Sequence, residues 1–454
     1  MLVFQRPIKS FLSAASVCFC MGLSAPAAAQ TFFEDSIVSF HGDFEYSSDT
    51  RSVSFWDDFI ATGDPHTWGM ESGFVNIFDN QTGGFLRSLY SENGNGNDGF
   101  GVSVDIQDGM VLVGASTDDT FGSAVGAAYL FDIQTGDRLH VLFPNIGAPF
   151  DNFGSQVLIH DGMAIVSAPG NDTQGNNYGA IYFFDLESGE QISVLYPDEN
   201  AGGSFGKTEL AMDAGVLAVG ARRDSIEGAN VVGSVFLFDV ESGTQMYRVN
   251  SEDFQTFQWF GESLSLGQGV LAVSARGDSQ NGSYAGATYL FDVSSGVQLA
   301  KVLPTDGAAG SRFGTSVYLA NGLLAVGAED HFENGVETGA AYVFDAEDGH
   351  QIAKLISSNG DSGHEFGAFV FIDQRKIYIS APKAPASGLG GTVYVYDQSC
   401  APDLNFDGIT DFFDVSEFIQ LYRANDLAAD FVPDGQLDFF DIGAFIGSYA
   451  SGCP

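Results

Sequence analysis

The chain is 454 residues long, with 44% hydrophobic residues and 17 Lys and Arg against 59 Asp and Glu, a formal net charge of −42. That hydrophobic fraction excludes wholesale disorder, which needs low hydrophobicity together with high charge. So acidic a surface repels phosphate backbones and anionic headgroups, which argues against nucleic-acid partners and electrostatic membrane attachment, and 57 Gly with only 13 Pro and no Gly-X-Y period point to many tight turns.

The first segment reads as an address. Arg6 and Lys9 precede an apolar stretch from Phe11 to Leu23, then the small-residue run Ala25-Pro26-Ala27-Ala28-Ala29. A basic start, a short apolar middle and an A-x-A end describe a secretory signal peptide over residues 1–29, cleaved after Ala29. The stretch is shorter than the roughly 18 apolar residues of a membrane span, and no second long apolar run follows. The expected mature chain is therefore exported, extracellular or at a cell surface, without a membrane span. Cys18 and Cys20 leave with the signal, and Cys400 and Cys453 remain to pair in an oxidising compartment.

From here the chain repeats. Phe-Gly recurs at Phe100, Phe153, Phe205, Phe260, Phe313 and Phe366, a period of about 53 residues. An aromatic-Asp pair recurs seven times, at Phe78-Asp79, Phe131-Asp132, Phe184-Asp185, Phe238-Asp239, Phe291-Asp292, Phe344-Asp345 and Tyr396-Asp397. Within one unit, Phe313–Leu319 alternates as a strand and Asn321-Gly322 signals a hairpin. Leu323–Ala328 and Gly339–Phe344 follow as second and third strands, and Gln351–Leu355 is the fourth. Four short antiparallel strands repeated seven times predict an all-β fold, a seven-bladed β-propeller over residues 30–398. The seventh unit stops at Tyr396-Asp397 without a fourth strand, while an orphan strand-like stretch, Ile37–Phe40, lies upstream of the first. That N-terminal strand is expected to complete the last blade and close the ring, leaving no exposed edges.

The Phe-Gly…Gly-Ala pattern resembles the FG-GAP repeat of integrin α-type β-propellers, over about residues 45–397. Calcium-binding members of that family carry an acidic DxDxDGxxD-type loop after Phe-Gly. Here that interval holds short turns such as Asp108-Gly109, Asp161-Gly162 and Asn321-Gly322, too few oxygens for a calcium cage. No cofactor is expected in the blades.

The last segment, residues 399–454, carries a different motif. Oxygen-bearing side chains stand at Asp403, Asn405, Asp407, Asp411 and Asp414, with Gly408 at the sharp turn and the Ile409 carbonyl available as a further ligand. That is the spacing of a calcium loop. A short helix pattern follows, Val415 to Tyr422. The unit then repeats as Asp430, Asp434, Gly435, Gln436, Asp438 and Asp441, followed by a helix pattern from Ile442 to Tyr449. Val432 takes a ligand position in the second loop, so the first is expected to hold Ca²⁺ more tightly. Two loop–helix units without entering helices resemble the dockerin type I domain, a small α-helical, EF-hand-like fold. The ending Gly452-Cys453-Pro454 is similar to a C-terminal anchoring variant of it. The resemblance implies a cohesin-like or other docking partner. Phe412-Phe413 and Phe439-Phe440 stand where such domains often choose their partner, either as a docking surface or as part of a small core.

Asp recurs just beyond the second strand, at Asp64, Asp118, Asp172, Asp224, Asp278 and Asp330. In a closed ring these carboxylates would line one face and bind a cation or a polyhydroxy ligand, or else cap turns. Arg276-Gly277-Asp278 aligns with Arg222-Arg223-Asp224 and reads as repeat drift in a turn rather than an adhesion tripeptide. No H-E-x-x-H metalloprotease motif and no G-x-x-x-x-G-K-S/T phosphate loop occurs, and the seven His fall at differing phases of the repeat. The sequence thus favours a non-enzymatic recognition or adhesion propeller for a glycan or protein, tethered by the tail. A polysaccharide hydrolase or lyase on the same scaffold, and a structural envelope component, are the alternatives.

Overall fold

The computed structural model describes residues 31–39, 52–65, 73–80, 82–91, 98–199, 205–226, 230–358, 362–373, 376–384, 392–399, 412–424 and 439–451, with 429 and 437. The segment read as a signal peptide, both Cys400 and Cys453, and the loop residues Asp403 to Asp411 lie outside them.

Seven four-stranded antiparallel sheets make up the propeller. The second blade shows the unit: Phe100–Gln107, Met110–Ala115, Ala127–Asp132 and Arg138–Leu142, paired in chain order. Strands 1 and 2 meet at two-residue turns whose residues have positive φ, as at Asp108 (53°) and Gly109 (78°) or Asn321 (55°) and Gly322 (75°). Those angles give the primed turn that matches the twist of a hairpin. Strands 3 and 4 meet at the aromatic-Asp marker, and its Asp is a turn cap. The carboxylates of Asp79, Asp132, Asp185, Asp239 and Asp292 each accept the backbone N–H three residues on, at 2.7–2.8 Å. The Thr135 N–H holds the Asp132 carboxyl below its ordinary range, and the Ser188 hydroxyl does the same for Asp185.

The last blade is completed from the other end of the chain. Thr31–Ser39 pairs antiparallel with Thr392–Ser399, with Ile37 opposite Tyr394. Its sheet is therefore built from both chain termini of the propeller.

Blade packing explains the Phe-Gly repeat. The cores lie between neighbouring sheets, and one joins the seventh blade to the first through Val53, Phe55, Tyr378 and Val393. Each Phe of the Phe-Gly pair is fully buried and sits edge-on to two strand-3 rings of its own blade. Phe100 lies 5.4 Å from Tyr129 and 6.0 Å from Phe131, and Phe313 lies 5.5 and 5.7 Å from Tyr342 and Phe344. Burying each such ring stabilises the fold by about 2–3 kcal/mol. Its backbone docks onto the preceding blade: Phe313 N–H donates to Ala285 O at 2.9 Å, beside Gly286. A Cβ on Gly286 would stand 2.0 Å from Phe313 O. The glycine before strand 3 is therefore a contact surface for the next blade.

Two helices follow the propeller, α1 (Phe412–Ala424) and α2 (Phe439–Ser451). Phe418 and Phe445 stack at 4.1 Å with their planes 4° apart, and Val415, Leu421, Ile442 and Tyr449 pack around them. Asp414 and Asp441 fall in the first turns of these helices. Phe439 is exposed, and the side chains of Phe412, Phe413 and Phe440 lie outside the described residues. No described helix is long and apolar enough to cross a membrane.

Gly286→Ala should cost about 3 kcal/mol or more in chemical denaturation, because the neighbouring backbone cannot retreat. Gly322→Ala, at an open hairpin tip with nothing within 4 Å of the added carbon, should cost only the left-handed penalty of about 1–2 kcal/mol.

Candidate functional site

The innermost strand of every blade has a sheet partner on one side only, and its other edge faces the axis. Side chains from the preceding blade cover that edge. Val157 N–H donates to Ser103 Oγ at 3.0 Å, Val317 N–H to Ser263 Oγ at 3.1 Å, Leu319 N–H to Ser265 Oγ at 2.9 Å and Val370 N–H to Ser316 Oγ at 3.1 Å, each across 54 residues. Two carboxylates do the same work. Asp105 accepts Ser54 Oγ–H at 2.8 Å and Ile159 N–H at 2.7 Å, and Glu209 accepts Ser263 Oγ–H at 2.6 Å and Leu264 N–H at 2.8 Å. The axial cavity they line has a volume of about 440 Å³ and is walled also by Phe55, Leu158, Tyr318 and Phe371. Both carboxylates are half-buried in this wall. Desolvation dominates their titration and pushes Asp105 up to about 6 and Glu209 up to about 7.

At one end the channel opens into a second cavity of about 420 Å³, on the face formed by the strand 2–3 loops and the connections between blades. Glu209, Gln156 and Phe369 line both cavities. The mouth is also lined by Asn152, Asn177, Thr208 and Thr315, and by Lys207, Arg222, Arg223, Arg276 and Glu262. Arg222 and Arg276 share one carboxylate, at 2.8 and 2.9 Å from Glu262. Four cations to two carboxylates inverts the balance of a chain with 17 against 59.

The recurring Asp residues beyond strand 2 do not share one position. Asp118, Asp224 and Asp278 are equivalent, each donating its N–H to the strand-2 Ala three residues earlier and accepting from the Gly before strand 3. Asn171 and His331 fill that position in two other blades. Asp172 and Asp330 are their neighbours, and Asp64 ends a strand. All three equivalent carboxylates are buried and held inside the protein. Asp118 accepts the Tyr129 hydroxyl and Thr120 N–H. Asp224 accepts Arg248, which also reaches Glu199 at 2.7 Å. Asp278 accepts Lys301 at 2.9 Å, Gln258 at 3.0 Å and Tyr289 at 3.0 Å. Burial alone would raise the Asp278 pKa, but the Gln280 N–H and the Lys301 ammonium outweigh it and hold it low. The Arg276-Gly277-Asp278 tripeptide is thus internal: its Asp is fully buried and its Arg is paired with Glu262. Asp172 caps its turn through Asn177 N–H at 2.6 Å, and Asp330 pairs with Arg312 at 2.9 Å.

Two clusters bring metal-ligating atoms together among the described residues. Asp306, His331 and Glu333 converge, but Lys354 lies among them, 2.6 Å from Asp306 and 3.0 Å from His331 and also paired with Glu333. The cation of that cluster is the chain's own ammonium, and burial together with it lowers the His331 pKa. Asp345, Asp348 and His350 share an exposed turn, where Asp345 already accepts Glu347 N–H at 2.7 Å. The basic mouth is not evident in the sequence because Lys207 follows Phe-Gly whereas Arg222, Arg223 and Arg276 follow strand 2. The excess of Arg directly after strand 2, at Arg222, Arg223 and Arg276, was the available signal.

A profile of the FG-GAP repeat matches residues 86–131, 140–184, 244–291 and 297–344. Each matched segment runs from the strand 4 region of one blade to strand 3 of the next. Four segments of the chain thus match the FG-GAP repeat, and the described residues form a seven-bladed β-propeller followed by two helices. No curated protein is significantly similar to it.

Lys301→Met leaves Asp278 buried without its cation and should destabilise the protein by about 3 kcal/mol, read as a lowered thermal midpoint. Glu209→Gln keeps an acceptor for Ser263 and Leu264. The folded protein favours protonated Glu209, so its stabilising contribution is complete below about 4.5, the unfolded value, and lost as pH rises to about 7. The variant's thermal midpoint should accordingly fall less than that of the wild type between pH 5 and 8, a difference on the order of 2 kcal/mol.

Proposed function

We propose that this protein is an exported recognition module whose ligand binds at the mouth of the propeller channel, and whose helical tail tethers it through calcium. FG-GAP propellers are typically binding or adhesion scaffolds, which supports the class. The observation that carries the site is the polar, cation-rich cavity on the face of the long loops. Its walls are amides, hydroxyls and guanidinium groups, which suit orientation of a polar ligand. A purely structural envelope role gives no reason for such a concavity.

The tail reading rests on sequence. Asp403, Asn405, Asp407, Ile409, Asp411 and Asp414 have the spacing of a calcium loop, Asp430 to Asp441 repeat it less completely, and a dockerin-like domain anchored by a Cys400–Cys453 disulfide is the fold we infer. The stacked Phe418 and Phe445 fit two loop–helix units packed face to face. Extracellular calcium modules commonly bind at about 10⁻⁴ to 10⁻³ M.

A polysaccharide-acting enzyme is the second reading, favoured by one observation: Glu209, held near neutrality, lines the same mouth as Glu262. Two carboxyl groups in one cleft are what glycosidases divide into acid and nucleophile roles. Against it, Glu209 spends its oxygen on two structural hydrogen bonds.

Ser116 lines the mouth, and Ser116→Trp, which fills it, should abolish binding to immobilised glycans or proteins without lowering the thermal midpoint; retained binding would move the site elsewhere. Reducing-end release by wild type and its loss in Glu209→Gln would establish the enzyme instead. In the full chain, millimolar Ca²⁺ should protect residues 399–454 from proteolysis. Asp403→Ala with Asp414→Ala should remove most of that protection, and Asp430→Ala less.

A further inference from the structure

We infer that the mouth takes a glycan bearing isolated carboxylate sugars, its carboxylate met by the Lys207–Arg276 cluster and its sugar rings by exposed aromatic side chains at the rim. This rests on the recognition reading and names the ligand's class.

The repeats supply an internal comparison. Three residues before Phe-Gly the backbone turns left-handed, with its N–H donated to the loop of the preceding blade. Gly310 (φ 83°) and Gly363 (φ 80°) occupy that place in two blades, donating to Ser283 O at 2.9 Å and Glu337 O at 2.7 Å. In two others it is Phe150 (φ 69°) and Phe257 (φ 64°), donating to Ser123 O at 3.0 Å and Asn230 O at 3.1 Å. A bulky residue in this region is strained where glycine is not. Burial does not offset it, since Phe150 is 66% and Phe257 51% exposed. Strained backbone that holds an apolar ring in solvent is the signature of a group kept for contact with something else.

The backbone of both residues borders the mouth. Phe150 O lies against the mouth-lining Gly170, and Phe257 O lies against Gly277, next to Arg276. Two residues past Phe257, the Trp259 ring lies 5.5 Å from the Arg276 guanidinium and 5.5 Å from Tyr284, itself 43% exposed and left-handed at φ 55°. Flat apolar faces beside guanidinium forks match a sugar ring whose substituent is a carboxylate. Asn152, Asn177 and Thr208 supply hydrogen-bonding groups for its hydroxyls. A dense polyanion is excluded by the chain's charge of −42, which repels it everywhere except at the mouth. Scattered carboxylates on a neutral chain fit both the local attraction and the global repulsion.

The test uses the full chain and calorimetric titration with four carboxylated polysaccharides, glucuronoxylan, gum arabic, xanthan and alginate, each beside its carboxyl-reduced form. Binding to at least one of the sparsely charged three, weakened tenfold or more by carboxyl reduction, is the expected result. Lys207→Ser with Arg223→Ser should cost tenfold or more of that affinity. Phe150→Gly with Phe257→Gly should weaken binding as much while raising the thermal midpoint, a combination no folding defect produces. No carboxyl-dependent binding across the panel overturns the inference, as does preference for dense alginate. Equal binding of a reduced polymer, lost in the Phe→Gly variant, overturns the carboxylate assignment and leaves the recognition face standing. Glycan binding indifferent to all these substitutions and to Ser116→Trp overturns both.

Discussion

A ring of sheets has an inner edge that no further strand can cover, and this structure depends on how that edge is closed. Backbone N–H groups facing a narrow axis need acceptors, because unmet donors in a partly dry channel each cost about 1–3 kcal/mol. The acceptors come from the preceding blade, one side chain per N–H, at a stride of 54 residues. A short hydroxyl reaches this distance without filling the axis, hence Ser103, Ser263, Ser265 and Ser316. Where a carboxylate takes the place, as at Asp105 and Glu209, it can cover two or three donors at once. The cost is desolvation, visible in their raised pKa values. The polar channel is thus a requirement of closure before it is anything else, and a raised carboxylate in its wall is not by itself a sign of chemistry.

The same repeats form a series of natural substitutions at one position. Asp118, Asn171, Asp224, Asp278 and His331 stand in equivalent turns, and the strand-4 residue beside them differs between blades. Where the buried group is Asp224, Asp278 or His331, that residue is Arg248, Lys301 or Lys354. Where it is Asn171, the strand-4 residue opposite Tyr182 is Val194, and nearby Asp151 is raised by burial and hydrogen-bonded to the Asn171 amide. Three of the five turns thus pair with a strand-4 cation, while Asp118, whose strand-4 neighbour opposite Tyr129 is Val141, is met by the Tyr129 hydroxyl and the Thr120 N–H instead. The recurrence of Asp is accordingly explained by packing.

This shows what a single sequence can and cannot reveal here. The Phe-Gly and aromatic-Asp spacings gave the blade count because each marks a contact repeated in every unit: a ring between blades and a capped turn. The closing strand was visible because Tyr396-Asp397 ended a unit one strand short. The phase of the Asp residues was not visible, since a shift of one residue separates Asp172 from buried Asn171 and Asp330 from buried His331. Nor was the mouth. Lys207 follows Phe-Gly while Arg222, Arg223 and Arg276 follow strand 2, and it takes the strand 1–2 pairing of one blade, where Gly206 N–H donates to Gly220 O, and the packing of the next blade to bring them to one cavity.

The two faces of the wheel are consequently unequal. On one, the strand 1–2 and 3–4 turns are two to five residues long, with conformations set by positive φ or by an Asp cap. Such turns have little freedom to vary, because the twist of the hairpin dictates them. On the other, the strand 2–3 loops and blade connections are longer, and need only keep the glycine contact and the buried turn residue that joins blades. Variation that does not disturb packing collects there: Phe for Gly at positions 150 and 257, Arg at 222, 223 and 276. A fold that fixes one face and frees the other leaves variation to the freed one, and in this chain that is where cations gather against the overall charge.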